Sequence, residues 1–139
     1  MARVLGIDPG TKRIGVALSD PGARVATPHS TIAAADLNAD ARAIAMLAGE
    51  NDVSEIVVGY PRRLDGSAGQ AAERASDLAR RVEAAAGVRV TLWDERMTSA
   101  QADRAMLDHG AKRRRRREAA DRIAATLILQ SYLDARGSA

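Results

Sequence analysis

The stretch VLGIDPGTKRIGVALSD, residues 4–20, decides how the rest of the chain reads. Its two short apolar runs, 4–7 and 14–18, hold β-branched residues and have the length of strands. Between them stand a carboxylate, Asp8, the turn pair Pro9-Gly10 and two adjacent cations, Lys12 and Arg13. Asp-Pro-Gly is ordinary turn chemistry. A hairpin between two buried strands nevertheless has no need of an acid and two bases. A third segment, 24–32, extends the pair into an antiparallel meander, and Pro28 confines it to an edge or a strand end.

After the meander the period changes. Residues 37–49 have helical spacing, with Asp36 as N-cap and Gly49 as C-cap. Residues 55–60 (EIVVGY) form a buried strand. A loop, PRRLDGSAG, leads to a helix that Ser67 and Gln70 open with capping-box spacing and Gly87 closes. Its apolar face is Ala71, Ala75, Leu78, Ala79 and Val82. Residues 88–93 make another strand, Thr98 and Gln101 open a helix to about His109, and 118–135 form a last helix offering Ile123, Leu127, Ile128 and Leu133 to the core. The order β-β-β-α-β-α-β-α-α implies an α/β fold, a mixed sheet with helices on both faces. No linker or repeat divides the 139 residues, which read as a single domain.

The chain has no Phe, one Trp and two Tyr, so its core rests on Val, Leu, Ile and Ala. The absence of Cys excludes a disulfide scaffold, a thiolate metal site and a thiol nucleophile. No run approaches the length of a membrane span, and the N-terminus reads directly as a strand. These features predict a cytoplasmic protein with no membrane partner. The formal net charge is +3, and it is concentrated in Lys112, Arg113, Arg114, Arg115, Arg116 and Arg117; without those six cations the rest of the chain sums to −3. A focused patch calls for a polyanionic partner, although a solvated basic loop would look the same.

Acids fall at the ends of predicted elements. Asp8 ends the first strand, Asp94 and Glu95 end the last, and Asp121 sits in the first turn of the last helix. Helical crossovers make the first, fourth and fifth strands parallel, so their C-terminal ends share one edge of the sheet, where α/β sites lie. Asp121 joins them if the last helix packs its N-terminal end there. Gathered carboxylates repel, and a hard divalent cation resolves the repulsion. Two such ions about 4 Å apart can hold a phosphodiester and activate a water. The bland readings are a turn-forming Asp8, Asp94 or Glu95 paired with Arg96, and Asp121 as a helix-dipole partner. Asp20 and Asp65 read as structural turn residues, and His29 and His109 lack metal-ligand spacing.

Four blocks carry a family likeness: GIDPGTKRIGVALSD (6–20), VVGYPRRLDGSAG (57–69), DERMTS (94–99) and KRRRRREAADRIAATLILQSYLD (112–134). The chain resembles the YqgF/RuvX family of RNase H-like proteins, described as Holliday junction resolvases and as nucleases that mature the small-subunit ribosomal RNA precursor. The resemblance implies an RNase H-like fold with strand order 3-2-1-4-5 and an acidic site, binding Mg²⁺ or Mn²⁺ as two ions, built from Asp8, an acid of "DER" and Asp121. Glu95 is favoured over Asp94, its alternative. The last strand lies two away from the first, about 10 Å, and the longer side chain spans that gap more easily. Side-chain alternation sends only one of the two inward.

Within this reading Gly10 lets the backbone turn close to substrate, and Lys12, Arg13, Arg62, Arg63, Arg96 and the six-cation run meet phosphates. The reaction implied is in-line attack of water on a phosphodiester, leaving a 5′-phosphate and a 3′-hydroxyl. The nucleic acid is an rRNA precursor or a four-way DNA junction, and symmetric cutting of a junction would require a homodimer. Sparse aromatics favour recognition of backbone and shape over base stacking. Two rivals remain. GIDPGT also resembles the phosphate-binding loop of the sugar kinase, actin and Hsp70 ATPases, which clamp nucleotide between two such domains. A non-catalytic nucleic-acid-binding module would keep the fold and the patch without cutting.

Overall fold

The computed structural model describes residues 3–62, 65, 68–97 and 113–137. Five strands form one sheet: β1 (Arg3–Asp8), β2 (Arg13–Ser19), β3 (Ala26–Ala33), β4 (Val53–Tyr60) and β5 (Arg89–Asp94). Their order is β3-β2-β1-β4-β5; β2 runs antiparallel to β1 and β3, while β1, β4 and β5 run parallel. This is the mixed sheet expected from the sequence, with Pro28 on an edge strand. The C-terminal ends of β1, β4 and β5 therefore share one side of the sheet.

The third strand starts at Ala26 rather than Arg24 because Asp20 organises the turn before it. Its Oδ1 accepts from the Arg24 and Val25 amides, each at 2.8 Å. These backbone donors hold the Asp20 carboxyl below its ordinary value of 3.8. A carboxyl lowered in the folded state stabilises above its unfolded pKa, and that contribution is lost as pH falls through the folded value. Asp20→Asn is therefore expected to lower the melting temperature at neutral pH, with the difference from wild type shrinking below pH 3.8. Thermal melts across that range check it.

Helices α1 (Leu37–Glu50) and α2 (Gln70–Ala86) cover one face. Asp36 caps α1 as expected, accepting from the Ala39 amide at 2.9 Å, but the helix ends at Asn51, not Gly49. The Asn51 side chain donates to the Leu47 carbonyl at 2.8 Å and does the work a glycine would otherwise do. At α2 the N-cap is Gly69, with no side-chain cap bond, so Gln70 begins the helix instead of completing a capping box. Ser67 lies outside the described residues, as does the helix expected over 98–109. The buried face of α2 is Ala72, Ala75, Leu78, Ala79 and Val82; Ala71 faces out. Gly87 closes α2 in the left-handed region, as predicted.

Helix α3 (Arg113–Gly137) covers the other face and starts five residues earlier than expected. Arginine is a good helix former, and nothing in the run breaks a helix. The cations Arg113–Arg117 thus belong to α3 itself, and Asp121 sits in its third turn, not its first. The buried stripe of α3 is Ala124, Ala125, Ile128, Leu129 and Tyr132, with Leu133; Ile123 and Leu127 are only half-buried. Asp121 heads that stripe at i, i+3 and i+4 spacing, which aims it at the sheet.

Three glycines let α3 settle closely. A Cβ on Gly6 would lie 2.6 Å from Leu129 Cβ, and one on Gly59 would lie 2.8 Å from Ile128 Cδ1. One on Gly15 would collide with the Asp121 carbonyl. At the far end of α3, Glu55 of β4 is buried as the acceptor from Tyr132 Oη at 2.5 Å, Arg136 Nη1 at 2.7 Å and Thr91 Oγ1 at 3.2 Å.

Candidate active site

Asp8 ends β1 and is registered opposite Gly15 of β2. Directly opposed residues of an antiparallel pair share a face, so the Asp8 side chain lies on the side that Gly15 presents to α3. The same glycine receives the backbone of Asp121, which brings the second acid to Asp8's side. On the other flank, Ile7 is registered with Val58, so Gly59 stands beside Asp8. The missing Cβ of Gly59 leaves room for Glu95, whose Cγ and Oε2 would lie 3.2 Å from it. Glu95 follows the end of β5, in a short 3₁₀ turn over Glu95–Met97, and its side chain folds back across β4 towards β1. The three carboxylates are 5%, 8% and 7% exposed for Asp8, Glu95 and Asp121.

Arg13, at the start of β2, donates from Nε to Asp121 Oδ2 at 2.6 Å. It holds the third carboxylate in place and offsets part of the negative charge. Among the described residues, no three His, Asp or Glu side chains are drawn together tightly enough to hold an ion as they stand. The acids share a face and an edge, but the expected cage is not closed. The donor set is still all carboxylate oxygen, the kind a hard divalent ion takes.

Asp94 behaves differently from Glu95. Arg96 donates to it from Nε, Nη2 and its backbone amide, and Arg62 Nε lies 3.8 Å away. The Arg96 guanidinium holds the Asp94 carboxyl below the usual carboxylate range. Arg62 also stacks 5.2 Å over the Tyr60 ring. These two arginines are therefore committed, at least in part, to Asp94 and Tyr60. Lys12 is exposed at the turn. Arg115, Arg116 and Arg117 are exposed on α3, while Arg63 and Lys112 lie outside the described residues, as do the side chains of Arg113 and Arg114. Gly10 allows the tight backbone turn expected of it. A Cβ there would strike the Arg13 carbonyl, so the glycine is required by the turn itself.

The model of the RuvX family, described as Holliday junction resolvase, matches residues 2–135. The chain belongs to the RuvX family. A relative from Shouchella clausii is 43% identical over 95% of this chain and 94% of its own length. Another, from Moorella thermoacetica, is 46% identical over 97% and 96%. Both carry the provisional name of pre-16S rRNA nuclease. Among solved structures, RuvC of T. thermophilus in complex with a Holliday junction substrate aligns over 99% of this chain and 96% of its own, with a TM-score of 0.59 and 15% identity. That likeness shows the fold: this RuvX chain has the RuvC-like, RNase H-like architecture expected from its four sequence blocks.

Sequence reasoning missed Arg122, which reaches from α3 to Thr31 of β3, Nη1 to Oγ1, at 3.3 Å. Nothing in its surroundings, DRIAA, separates it from an ordinary solvated helix cation. Only the docking of α3 on β3 brings it beside the acids.

Proposed function

We propose that this RuvX chain is a divalent-metal-dependent endonuclease that hydrolyses phosphodiester bonds in structured nucleic acid, at the 5′ end of the 16S rRNA precursor. The observation that carries the reading is three buried carboxylates, from the end of β1, the turn after β5 and α3, on one sheet edge, beside a helix that opens with arginines. The name of the relatives supports RNA as the substrate. Asp8, Glu95 and Asp121 would hold Mg²⁺ or Mn²⁺, as two ions, which when bound stabilise the charge that develops on phosphate oxygens and lower the pKa of water. Asp8 sits at the end of a buried strand and fixes the centre of the site. Arg13 orients Asp121, and the exposed arginines of α3 take phosphates away from the reacting bond. One domain would suffice, in the cytoplasm where the precursor is made.

The family description favours a second reading, cleavage of a four-way DNA junction. Symmetric cutting would then require a two-fold pair of chains. The test offers the purified protein precursor rRNA and a four-way junction with Mn²⁺. Cutting of the RNA with the junction left intact supports the first reading, and the reverse supports the second. Binding without cutting of either identifies a non-catalytic module. Six cations engage at most six phosphates, so the basic run by itself accounts for a slope of log K against log salt for duplex DNA of about −5. A steeper slope would show that cations outside the run also meet phosphates.

A further inference from the structure

Beside the acids, on the β3 side of α3, runs an open groove of about 520 Å³ lined by Arg13, Ser30, Thr31, Ala33, Glu118 and Arg122. Of its two cations Arg13 is held by Asp121, which leaves Arg122. The side chain is half-buried and donates to the Thr31 hydroxyl. That hydroxyl in turn donates to the Glu118 backbone carbonyl at 3.3 Å. Arg122 makes no ion pair among the described residues. On the β5 side the arrangement is the opposite, because Arg96 and Arg62 already face Asp94. Glu118 brings one carboxylate to the groove wall, against two guanidiniums, one of which is held by Asp121. A partly desolvated guanidinium held by a neutral hydroxyl keeps donors for a bidentate anion. The lining has no aromatic ring, so it offers nothing for a base to stack on.

We propose that this groove seats the sugar-phosphate backbone of the strand leaving the acids, with Arg122 receiving a phosphate near the one that is cut. The proposal rests on the nuclease reading for the position of the scissile bond. It makes the β3 side the path of the bound strand and Thr31 the residue that sets the Arg122 fork. Arg115 continues the same stripe of α3, at i, i+3 and i+7 with Glu118 and Arg122, and extends the path outwards.

The experiment uses full-length protein and a fluorescein-labelled RNA spanning the precursor cut site, with metal chelated, so that binding is read by anisotropy without turnover. Arg122→Gln should weaken binding about tenfold and make the salt slope shallower by about 0.7, the share of one phosphate on a single strand. Arg122→Lys should keep the slope and recover part of the affinity, and it serves as the folded comparison if the Gln variant melts early. RNAs with one neutral methylphosphonate linkage, placed at each position in turn, locate the contact. One position near the cut should weaken wild type and leave Arg122→Gln unaffected. Unchanged affinity and slope in Arg122→Gln, or losses that add at every position, would overturn the groove. If wild type never cuts the RNA when Mn²⁺ is restored, the nuclease reading fails while the binding result stands on its own.

Discussion

Asp8→Asn is expected to abolish cleavage, by about a thousandfold or more, while the protein still folds and still binds nucleic acid. The size follows from the role proposed for the residue. Charge stabilisation by a bound divalent ion amounts to several kcal/mol, and each 1.36 kcal/mol is a factor of about ten in rate. Asn keeps the shape of Asp but lacks the charge that would retain a hard cation. Asp8 is buried at a strand end, 5% exposed, so the substitution leaves the cationic surface of α3 untouched. Removing one of three neighbouring negative charges also relieves repulsion. The dissociation constant for RNA in the absence of metal should therefore stay the same or fall, and the melting temperature should hold or rise. Cleavage assays with Mn²⁺, run beside anisotropy and thermal melts, check all three. A variant that cuts within tenfold of wild type would remove Asp8 from the reaction.

Gly15→Ala is the second large effect, and it acts through the backbone. The new Cβ would strike the carbonyl oxygen of Asp121, with its carbonyl carbon 2.6 Å away. Helix backbone cannot swing aside as a side chain can, so α3 must lift from β2. Overpacking of this kind costs about 3 kcal/mol, roughly 10 °C in melting temperature for a chain of this size. Cleavage should fall further than stability alone explains, because the displaced turn carries both Asp121 and Arg122. Gly49→Ala is the control. It lies inside α1 with nothing within 4 Å of its Cβ position, and should gain about 0.5–1 kcal/mol from lower backbone entropy in the unfolded chain. Equal melting temperatures for Gly15→Ala and wild type would refute the close approach of α3.

The contrast between these two glycines shows where the sequence stops being readable. The meander, the parallel strands and the edge where Asp8, Glu95 and Asp121 lie follow from local patterns: apolar runs, crossover helices and acids at strand ends. Gly15 and Gly49 look alike in sequence, since what separates them is a helix more than a hundred residues away from Gly15. The start of α3 was hidden for a different reason. Six cations in a row read as solvated chain, yet arginine loses little in a helix. Placing the start at Arg113 moves Asp121 from the first turn to the head of a buried stripe. The division between Asp94 and Glu95 was half legible. Alternation and reach favour Glu95, but the Arg96 and Arg62 contacts that occupy Asp94 depend on how the chain turns after β5. Glu55 gave no signal at all, because its partners Tyr132 and Arg136 belong to the far end of the last helix.

Helix α3 holds Asp121, Arg122 and the arginines of its opening turns on one rigid rod, moored about 22 Å further on where Arg136 meets Glu55. In the proposed site, grip and scission would thus be geared together. Any shift of that rod would retune both in the same stroke, so an engineer wanting a firmer hold at constant speed would have to graft new charge onto the rim of β3 instead.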